Sequence, residues 1–434
     1  MPQKDLTAIL EKLGIAQLND MQVAAMEAIP HRREVVLISP TGSGKTLAFL
    51  LPVLSFLQPE IIGVQALIVV PTRELAIQID QVVRSLGSGW KCAAMYGGQS
   101  SSKDKAELKN PPTILIGTPG RIADHLRRGH LKSEHLHTLV LDEYDKSMEV
   151  GFTTEMTDIV SALPRLERKI LTSATAKSRL PAWVDMREPL ELVFESDTEE
   201  RLQLLVVPAV DKMQSLVQLL YHLGTARGIL FCNRKENIRQ LQEILDQHQL
   251  PHVSFHGDME QQDREKALIQ FRNGSYRILL ATDLAARGID VPELDYIIHY
   301  QLPDKETAFI HRNGRTARMH ASGTAYVLQQ VQTSLPAYLE QVQTFRIPAA
   351  DSPPPPTDMT TLYISAGRKD KISKGDIAGF LHTIGKLPAE AVGRIELQRE
   401  STYAAVSRKQ VYSLIALLNG QKVKGRKVKV AEVE

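Results

Sequence analysis

Ser39-Pro40-Thr41-Gly42-Ser43-Gly44-Lys45-Thr46 follows a β-branched apolar run, Val35-Val36-Leu37-Ile38, and leads into Leu47-Ala48-Phe49-Leu50-Leu51. Strand, glycine-rich loop, Gly-Lys-Thr and helix form the layout of a phosphate-binding loop. Glycines let successive backbone N–H groups converge on phosphate oxygens where a side chain would clash. The helix start adds positive dipole, Lys45 a point charge for the β- and γ-phosphates, and Thr46 a hydroxyl for Mg²⁺. The strict pattern opens on Gly, and here that position is Ser39. A Gly/Ser turn before an amphipathic helix is the competing reading. It leaves the intact Gly-Lys-Thr after a strand unexplained. A nucleoside triphosphate held by Thr41, Gly42, Ser43, Gly44, Lys45 and Thr46 is the predicted ligand.

The chain around this loop has 434 residues, 43% hydrophobic and 24% charged. That is too long for one core, so two or three soluble domains are expected. Net charge is +2, but residues 357–434 hold fourteen Lys and Arg against eight Asp and Glu. A basic C-terminal module of formal charge +6 thus follows a body of −4. This asymmetry suggests a polyanion-binding appendage. Cys92 and Cys232 lie far apart without metal spacing and read as core thiols in a reducing compartment. The N-terminus has no apolar signal region and no run of 18 apolar residues occurs, so a cytoplasmic protein without membrane contact is expected.

Buried strands are predicted at Val35–Ile38, Ala66–Val70, Thr113–Ile116, Thr138–Leu141 and Lys169–Thr172. Apolar runs without polar alternation, separated by helical stretches, indicate a parallel sheet covered on both faces. Each is followed by a polar motif, where open α/β sheets bind ligands. After an acidic stretch at 194–201 the pattern restarts, with strands predicted at Gly228–Phe231, His252–Phe255, Arg277–Leu280, Tyr296–His299 and Thr324–Val327. This second α/β domain has no Gly-Lys-Thr. The run Asp351-Ser352-Pro353-Pro354-Pro355-Pro356-Thr357 reads as a stiff linker. Beyond it, strand, helix, two strands, helix and a last strand at Arg426–Val430 give an RRM-like order without an RNP1 aromatic signature. The expected boundaries are 1–196, 202–345, 346–357 for the linker, and 358–434.

Asp142-Glu143, at a strand end, can hold Mg²⁺ and orient the attacking water, the two tasks of a phosphoryl-transfer site. The second domain supplies His311-Arg312-Asn313-Gly314-Arg315-Thr316-Ala317-Arg318. In a protein with one phosphate loop, such arginines read as fingers contributing roughly 10³–10⁵ in rate. Held on a separate domain, they make hydrolysis depend on domain closure.

Over roughly residues 5–345 the chain resembles the DEAD-box family of ATP-dependent RNA helicases. The resemblance runs through Gly14-Ile15 to Gln22, Ser39–Thr46, Pro71–Gln78, Gly97-Gly98, Thr118–Arg121, Asp142–Asp145, Ser173–Thr175, Leu230–Asn233, Gln261–Arg264, Ala281–Asp290 and His311–Arg318. It implies an α/β fold of two tandem RecA-like domains followed by the RRM-like α+β domain, with ATP and Mg²⁺ as cofactors. By that resemblance Gln22 reads adenine, Asp290 holds the ribose, and Thr46 and Asp142 serve Mg²⁺. Lys45, Glu143, Arg315 and Arg318 join Asp142 as catalytic groups, and Asp145, Ser173 and Thr175 couple hydrolysis to closure. Pro71, Thr72, Arg73, Gly98, Thr118, Arg121, Arg264 and Thr282 are the implied RNA contacts.

Departures from the family pattern are Tyr144 in place of Ala, Asn313 and Ala317 in place of Ile and Gly, and Ile15 where an aromatic often packs on adenine. An aliphatic contact lacks the stacking contribution, which predicts weaker adenine binding. The C-terminal segment resembles the RNA-binding domain of DEAD-box proteins of the DbpA type. That implies structured ribosomal RNA as partner, with Lys369, Lys371, Lys422, Lys424, Arg426 and Lys427 on its phosphates. If five such cations bind phosphates, affinity falls as roughly the 3.5–4.5 power of salt. The expected protein is a monomeric, RNA-stimulated ATPase that unwinds short duplexes in ribosome assembly. An ATP-gated RNA clamp and a DNA helicase are the competing readings.

Overall fold

The computed structural model describes residues 6–98, 100–149, 151–174, 180–194, 202–283, 291, 294–316, 322–339, 342–350 and 352–433. They form two compact units, one before residue 195 and one after 201.

The first unit is built on a parallel sheet of β1 (Glu34–Ile38), β2 (Ala66–Val69), β3 (Cys92–Met95), β4 (Ile114–Gly117), β5 (Thr138–Leu141), β6 (Arg168–Ser173) and β7 (Leu190–Val193). Their spatial order is β3-β4-β2-β5-β6-β1-β7. Successive side chains of a strand point to opposite faces. Val35, Leu37, Ile68, Ile116, Val140 and Ile170 accordingly pack under one layer of helices. Val36, Leu67, Val69, Leu115, Leu139 and Leu171 pack under the other. Both faces are covered, which is why these strands read as unbroken apolar runs. Each buried Leu or Ile contributes about 1.5–3 kcal/mol.

The second unit repeats the plan with β8 (Leu202–Ala209), β9 (Gly228–Cys232), β10 (His252–Phe255), β11 (Ile278–Thr282), β12 (Tyr296–His299), β13 (Gly323–Gln330) and β14 (Gln343–Thr344). Its order, β10-β11-β9-β12-β13-β8-β14, is that of the first sheet when each set is counted from its own first strand. The likeness of the two halves therefore extends from pattern to full topology.

The same unit carries a small antiparallel sheet, β16-β17-β15-β20. Its strands are β15 (Met359–Ile364), β16 (Val392–Leu397), β17 (Thr402–Ser407) and β20 (Val430–Glu432). Helices Lys374–Thr383 and Val411–Leu418 cover one face through Ile377, Phe380, Leu381, Leu414 and Leu418. The last strand is not the predicted Arg426–Val430. Lys422–Val423 (β18) and Arg426–Lys427 (β19) instead form a separate ribbon. Positive φ at Lys424 (48°) and Gly425 (81°) turns the chain back between them.

Candidate active site and nucleic-acid interface

The phosphate loop leaves β1 and enters the helix Lys45–Ser55, whose N-cap, Gly44, has φ 92° and offers no side-chain cap. A Cβ there would lie 2.6 Å from Gln22 Nε2, so only glycine fits. Lys45 is buried, and its ammonium donates to the loop carbonyls of Ser39 and Pro40, the latter at 2.7 Å. Ser43 Oγ also donates to Pro40 O, at 2.8 Å. The loop is braced by the helix Asp20–Ala28, which begins in a capping box of Asn19 and Gln22. Asn19 Nδ2 donates to Ser43 O at 3.0 Å, and Gln22 Nε2 to Gly44 O at 3.4 Å. Gln22 thus ties the helix Asp20–Ala28 to the glycine-rich loop. Thr41, Ser43 and Thr46 are half-buried and Gly42 is exposed along the loop.

Asp142 and Glu143 follow β5, and Thr172 of β6 joins them. Its hydroxyl donates to Asp142 Oδ1 and accepts the Glu143 backbone N–H at 3.1 Å. Glu143 adopts φ 50°, which turns the chain sharply between the two carboxylates. Burial, and then the neighbouring Glu143 charge, push the Asp142 carboxyl up to about 6. Ser39 N donates to Ser173 O at 3.1 Å, so the loop's first residue is in register with the end of β6. Ser173 and Asp145 are buried beside this junction. Thr172 was missed by the sequence reading. The available signal was a hydroxyl at the end of an apolar strand, directly before Ser173. Tyr144 is 2% exposed and packs into the apolar layer beneath the sheet, so the protein core takes up the bulk that replaces Ala. Burial raises its phenol to about 12.

In the second unit, Arg312 is locked in place. Nε and Nη2 grip the Asp283 carboxylate, Nη2 also donates to Asn233 Oδ1 at 2.8 Å, and Nη1 to Gln301 O at 2.6 Å. The guanidinium lies 5.1 Å from the Phe231 ring. Arg315, one turn on, is 7% exposed. Asn313 Oδ1 pairs with His299 Nε2 at 2.8 Å. His299 is stacked between Phe231 and Phe309, and burial drives its pKa down to about 3. Thr175, Asp290 and Arg318 lie outside the described residues.

The expected RNA contacts of the first unit form two groups. Arg73 lies over the Gly97-Gly98 turn, where a Cβ on Gly98 would come within 2.9 Å of its guanidinium. Pro71 is buried, and Thr72 caps the helix Arg73–Leu86 by accepting from Leu75 N at 3.2 Å. Thr118 opens the helix Pro119–Arg127, whose Arg121 donates to Asp104. In the second unit Arg264 is buried, 4.9 Å from the Phe255 ring, and Thr282 ends β11 half-buried.

The C-terminal sheet turns its other face to the second parallel-sheet domain. Arg272 forms a bidentate pair with Glu396 at 2.7 and 2.6 Å. Thr361 lies 2.7 Å from Ser275 Oγ and accepts from Asn273 Nδ2 at 3.2 Å. Gln270 Nε2 donates to Val433 O at 2.9 Å. Pro354–Thr357 line a small cavity with Tyr296 and Arg277, so the end of the proline run lies against this domain. Of the six loop cations, Lys369 pairs with Glu400, Lys424 with Asp376 and Arg426 with Asp370. Lys371, Lys422 and Lys427 are exposed and have no ion-pair partner among the described residues.

Residues 19–182 match the DEAD/DEAH box helicase family, 211–320 the helicase conserved C-terminal domain, and 361–432 the DbpA RNA binding domain. ATP-dependent RNA helicase DbpA of Escherichia coli (strain K12) is 32% identical over 445 residues, which cover 99% of this chain and 97% of that protein. The chain belongs to the DEAD-box family of ATP-dependent RNA helicases. The helicase is also 30% identical to DbpA of Bacillus subtilis (strain 168), over 98% of this chain and 97% of that one. S. cerevisiae Dbp5 bound to RNA and ADP BeF3 superposes with a TM-score of 0.68 at 25% identity, covering 80% of this chain and 94% of that one. Mss116 bound to ssRNA and UDP-BeF gives 0.67 at 26% identity, covering 75% and 72%. The helicase is therefore an ATP-using, RNA-binding enzyme of two RecA-like domains and a DbpA-type RNA-binding domain. Among the described residues no helix is long and apolar enough to cross a membrane.

Proposed function

We propose that this helicase separates short RNA duplexes locally by closing its two RecA-like domains over ATP and RNA, and that it does so on ribosomal RNA during ribosome assembly. On this reading it works as a cytoplasmic monomer, with domains at 1–196, 202–345 and 358–434 joined by 346–357. Its two free, buried cysteines suit a reducing compartment. The observation that carries the hydrolytic part is the Thr172 hydroxyl, which joins Asp142 to Glu143 at the strand ends beside the phosphate loop. Lys45 and the loop N–H groups take the β- and γ-phosphates, Gln22 the adenine edge and Asp290 the ribose. Glu143 orients the water, while Arg315 and Arg318 reach the γ-phosphate from the other domain. Asp145, Ser173 and Thr175 couple these events to closure.

Mg²⁺ fits the residues present. Asp142 and Thr46 offer hard oxygen donors, and a carboxyl pushed up to about 6 is one that a cation would return to the ionised form. When bound, Mg²⁺ supplies charge neutralisation at the phosphates. Pro71, Thr72, Arg73, Gly98, Thr118, Arg121, Arg264 and Thr282 follow the RNA backbone. Each base-pair step lost costs about 1.4 kcal/mol by DNA stacking values, so opening a few pairs is within reach of one closure. Only contacts that differ between open and closed states drive it.

Glu143→Gln and Arg315→Ala should each abolish RNA-stimulated ATPase and duplex displacement. Near-normal turnover in either variant overturns the mechanism. ATPase without displacement in the unmodified protein would favour the clamp. Because three of the six loop cations are already paired, three remain for phosphates. RNA affinity should then fall as roughly the second to third power of salt. Sequencing RNA cross-linked to the full chain tests the target: one ribosomal region supports it, random fragments remove it.

A further inference from the structure

The helix Ser101–Lys109, sequence SSKDKAELK, carries Ala106 and Leu108 as its apolar residues, yet Asp104, 3% exposed, is its one buried residue. Burying a carboxylate is costly unless it is paired and hydrogen-bonded. Asp104 Oδ2 accepts from Arg121 Nε at 2.7 Å and lies 3.2 Å from His125 Nε2. Arg121 and His125 stand four residues apart on the helix Pro119–Arg127, so one face presents both to the acid. His125 is fully buried, and its Nδ1 lies 3.3 Å from His130 Nδ1. With a proton on Nε2, His125 donates to Asp104 and can accept from His130 through Nδ1. Beside Arg121, a Cβ on Gly120 would meet nothing within 4 Å, so the helix start is open on that side.

We propose that Asp104, held by His125, is a positioning residue that fixes the Arg121 guanidinium for an RNA phosphate. An arginine fork binds a phosphate well only when its plane is set. A carboxylate on Nε sets that plane, and the buried histidine keeps the carboxylate from turning away. The proposal rests on the reading of Arg121 as an RNA contact.

RNA-stimulated ATPase of the full chain, titrated with single-stranded RNA, tests it. Arg121→Ala should raise the apparent KM for RNA about tenfold, the scale of one charge-assisted hydrogen bond. Asp104→Asn should raise it several-fold, leaving the ATP KM, the unstimulated rate and kcat at saturating RNA within about twofold. The double variant should be no worse than Arg121→Ala alone, because Asp104 acts only through Arg121. Asp104→Glu should recover part of the loss. If Asp104→Asn does not fold, His125→Asn carries the same cycle. Multiplicative losses in the double variant overturn the proposal, as does an unchanged RNA KM in Asp104→Asn beside a raised one in Arg121→Ala. An unchanged KM in Arg121→Ala overturns instead the reading of Arg121 as an RNA contact.

Discussion

The helix after β1 and the helix after β8 occupy equivalent places in two sheets of the same strand order, yet they begin differently. Lys45–Ser55 starts from Gly44, with no side chain on its first N–H groups. Lys212–Leu223 starts from Asp211, whose carboxylate accepts from Met213 N at 2.8 Å and Gln214 N at 3.1 Å. A helix start exposes unsatisfied donors and positive dipole. On the proposed reading one domain keeps that end for a ligand's phosphates; the other fills it with its own anion. Two carboxylates show the same division. Asp142 on the first domain is a buried carboxyl without a full countercharge, whereas Asp283 on the second is already clamped by Arg312. One fold supports both, so on the proposed reading the phosphate site is set by the cap and the glycine loop rather than by the sheet.

The sharpest break of this comparison is Gly44→Asp, which would give the first helix the cap of the second. It places a like charge against the phosphates, costing several kcal/mol, and its Cβ meets Gln22 at 2.6 Å. ATP affinity should fall on the order of 10³-fold, measured by nucleotide titration, with circular dichroism reporting the fold. Next is Arg312→Met. Its side chain is 2% exposed, and removing it strands the Asp283 carboxylate. Urea denaturation should show a loss of about 3–5 kcal/mol. On the proposed reading Arg315→Ala should lose RNA-stimulated turnover, which is read against the stability loss of Arg312→Met in the same denaturation series.

Asn313→Ile restores the family's residue and should cost about 1–3 kcal/mol, because His299 Nε2 loses its partner in a dry site. Adding His299→Leu should recover most of it, since removing both partners leaves no orphan. The same histidine gives wild-type stability a pH signature. Folded His299 stays neutral down to about 3, while the unfolded side chain protonates near its ordinary value. Its contribution is complete above about pH 6.5 and shrinks by about 1.4 kcal/mol per unit as pH falls from there toward 3. The His299→Leu/Asn313→Ile pair should flatten that slope in denaturation curves taken across pH 4–7.

The parts of this molecule that depend on neighbours in sequence were legible before the structure. Val35–Ile38, Ala66–Val69 and Leu139–Leu141 are apolar throughout because both faces of the sheet are covered, and a run of that kind needs no partner to be read. Lys45, Asp142 and Glu143 were readable because motif spacing places them at strand ends. Strand β3, Cys-Ala-Ala-Met, lacks β-branched residues and carries no such signal. The docking of the C-terminal sheet was not legible either. Arg272 and Glu396 are 124 residues apart, and Thr361 and Ser275 are 86 apart. Nothing local in a Thr on a strand says that its hydroxyl will face another domain. Thr172 and the His299–Asn313 pair were missed for the same reason.

The smallest expected effect is at Asp211, and it examines the comparison from the other side. Asp211→Ala removes a cap with two hydrogen bonds and should cost about 1 kcal/mol of stability. It also frees the first N–H groups of Lys212–Leu223, the feature that the phosphate loop exposes. A second nucleotide should still not bind. The flanking sequence is Val210-Asp211-Lys212-Met213, without glycines to let the backbone curl round a phosphate. Lys212 donates to Tyr300 O and sits 4.9 Å from that ring, so its charge is engaged within its own domain. Calorimetric titration with ADP should therefore return the same stoichiometry in the variant as in the wild type, with unchanged RNA-stimulated turnover. An added binding site would mean that the cap alone decides between the two helices. An unchanged stoichiometry assigns the difference to cap and glycine loop together, with the cap carrying stability and the loop carrying the ligand.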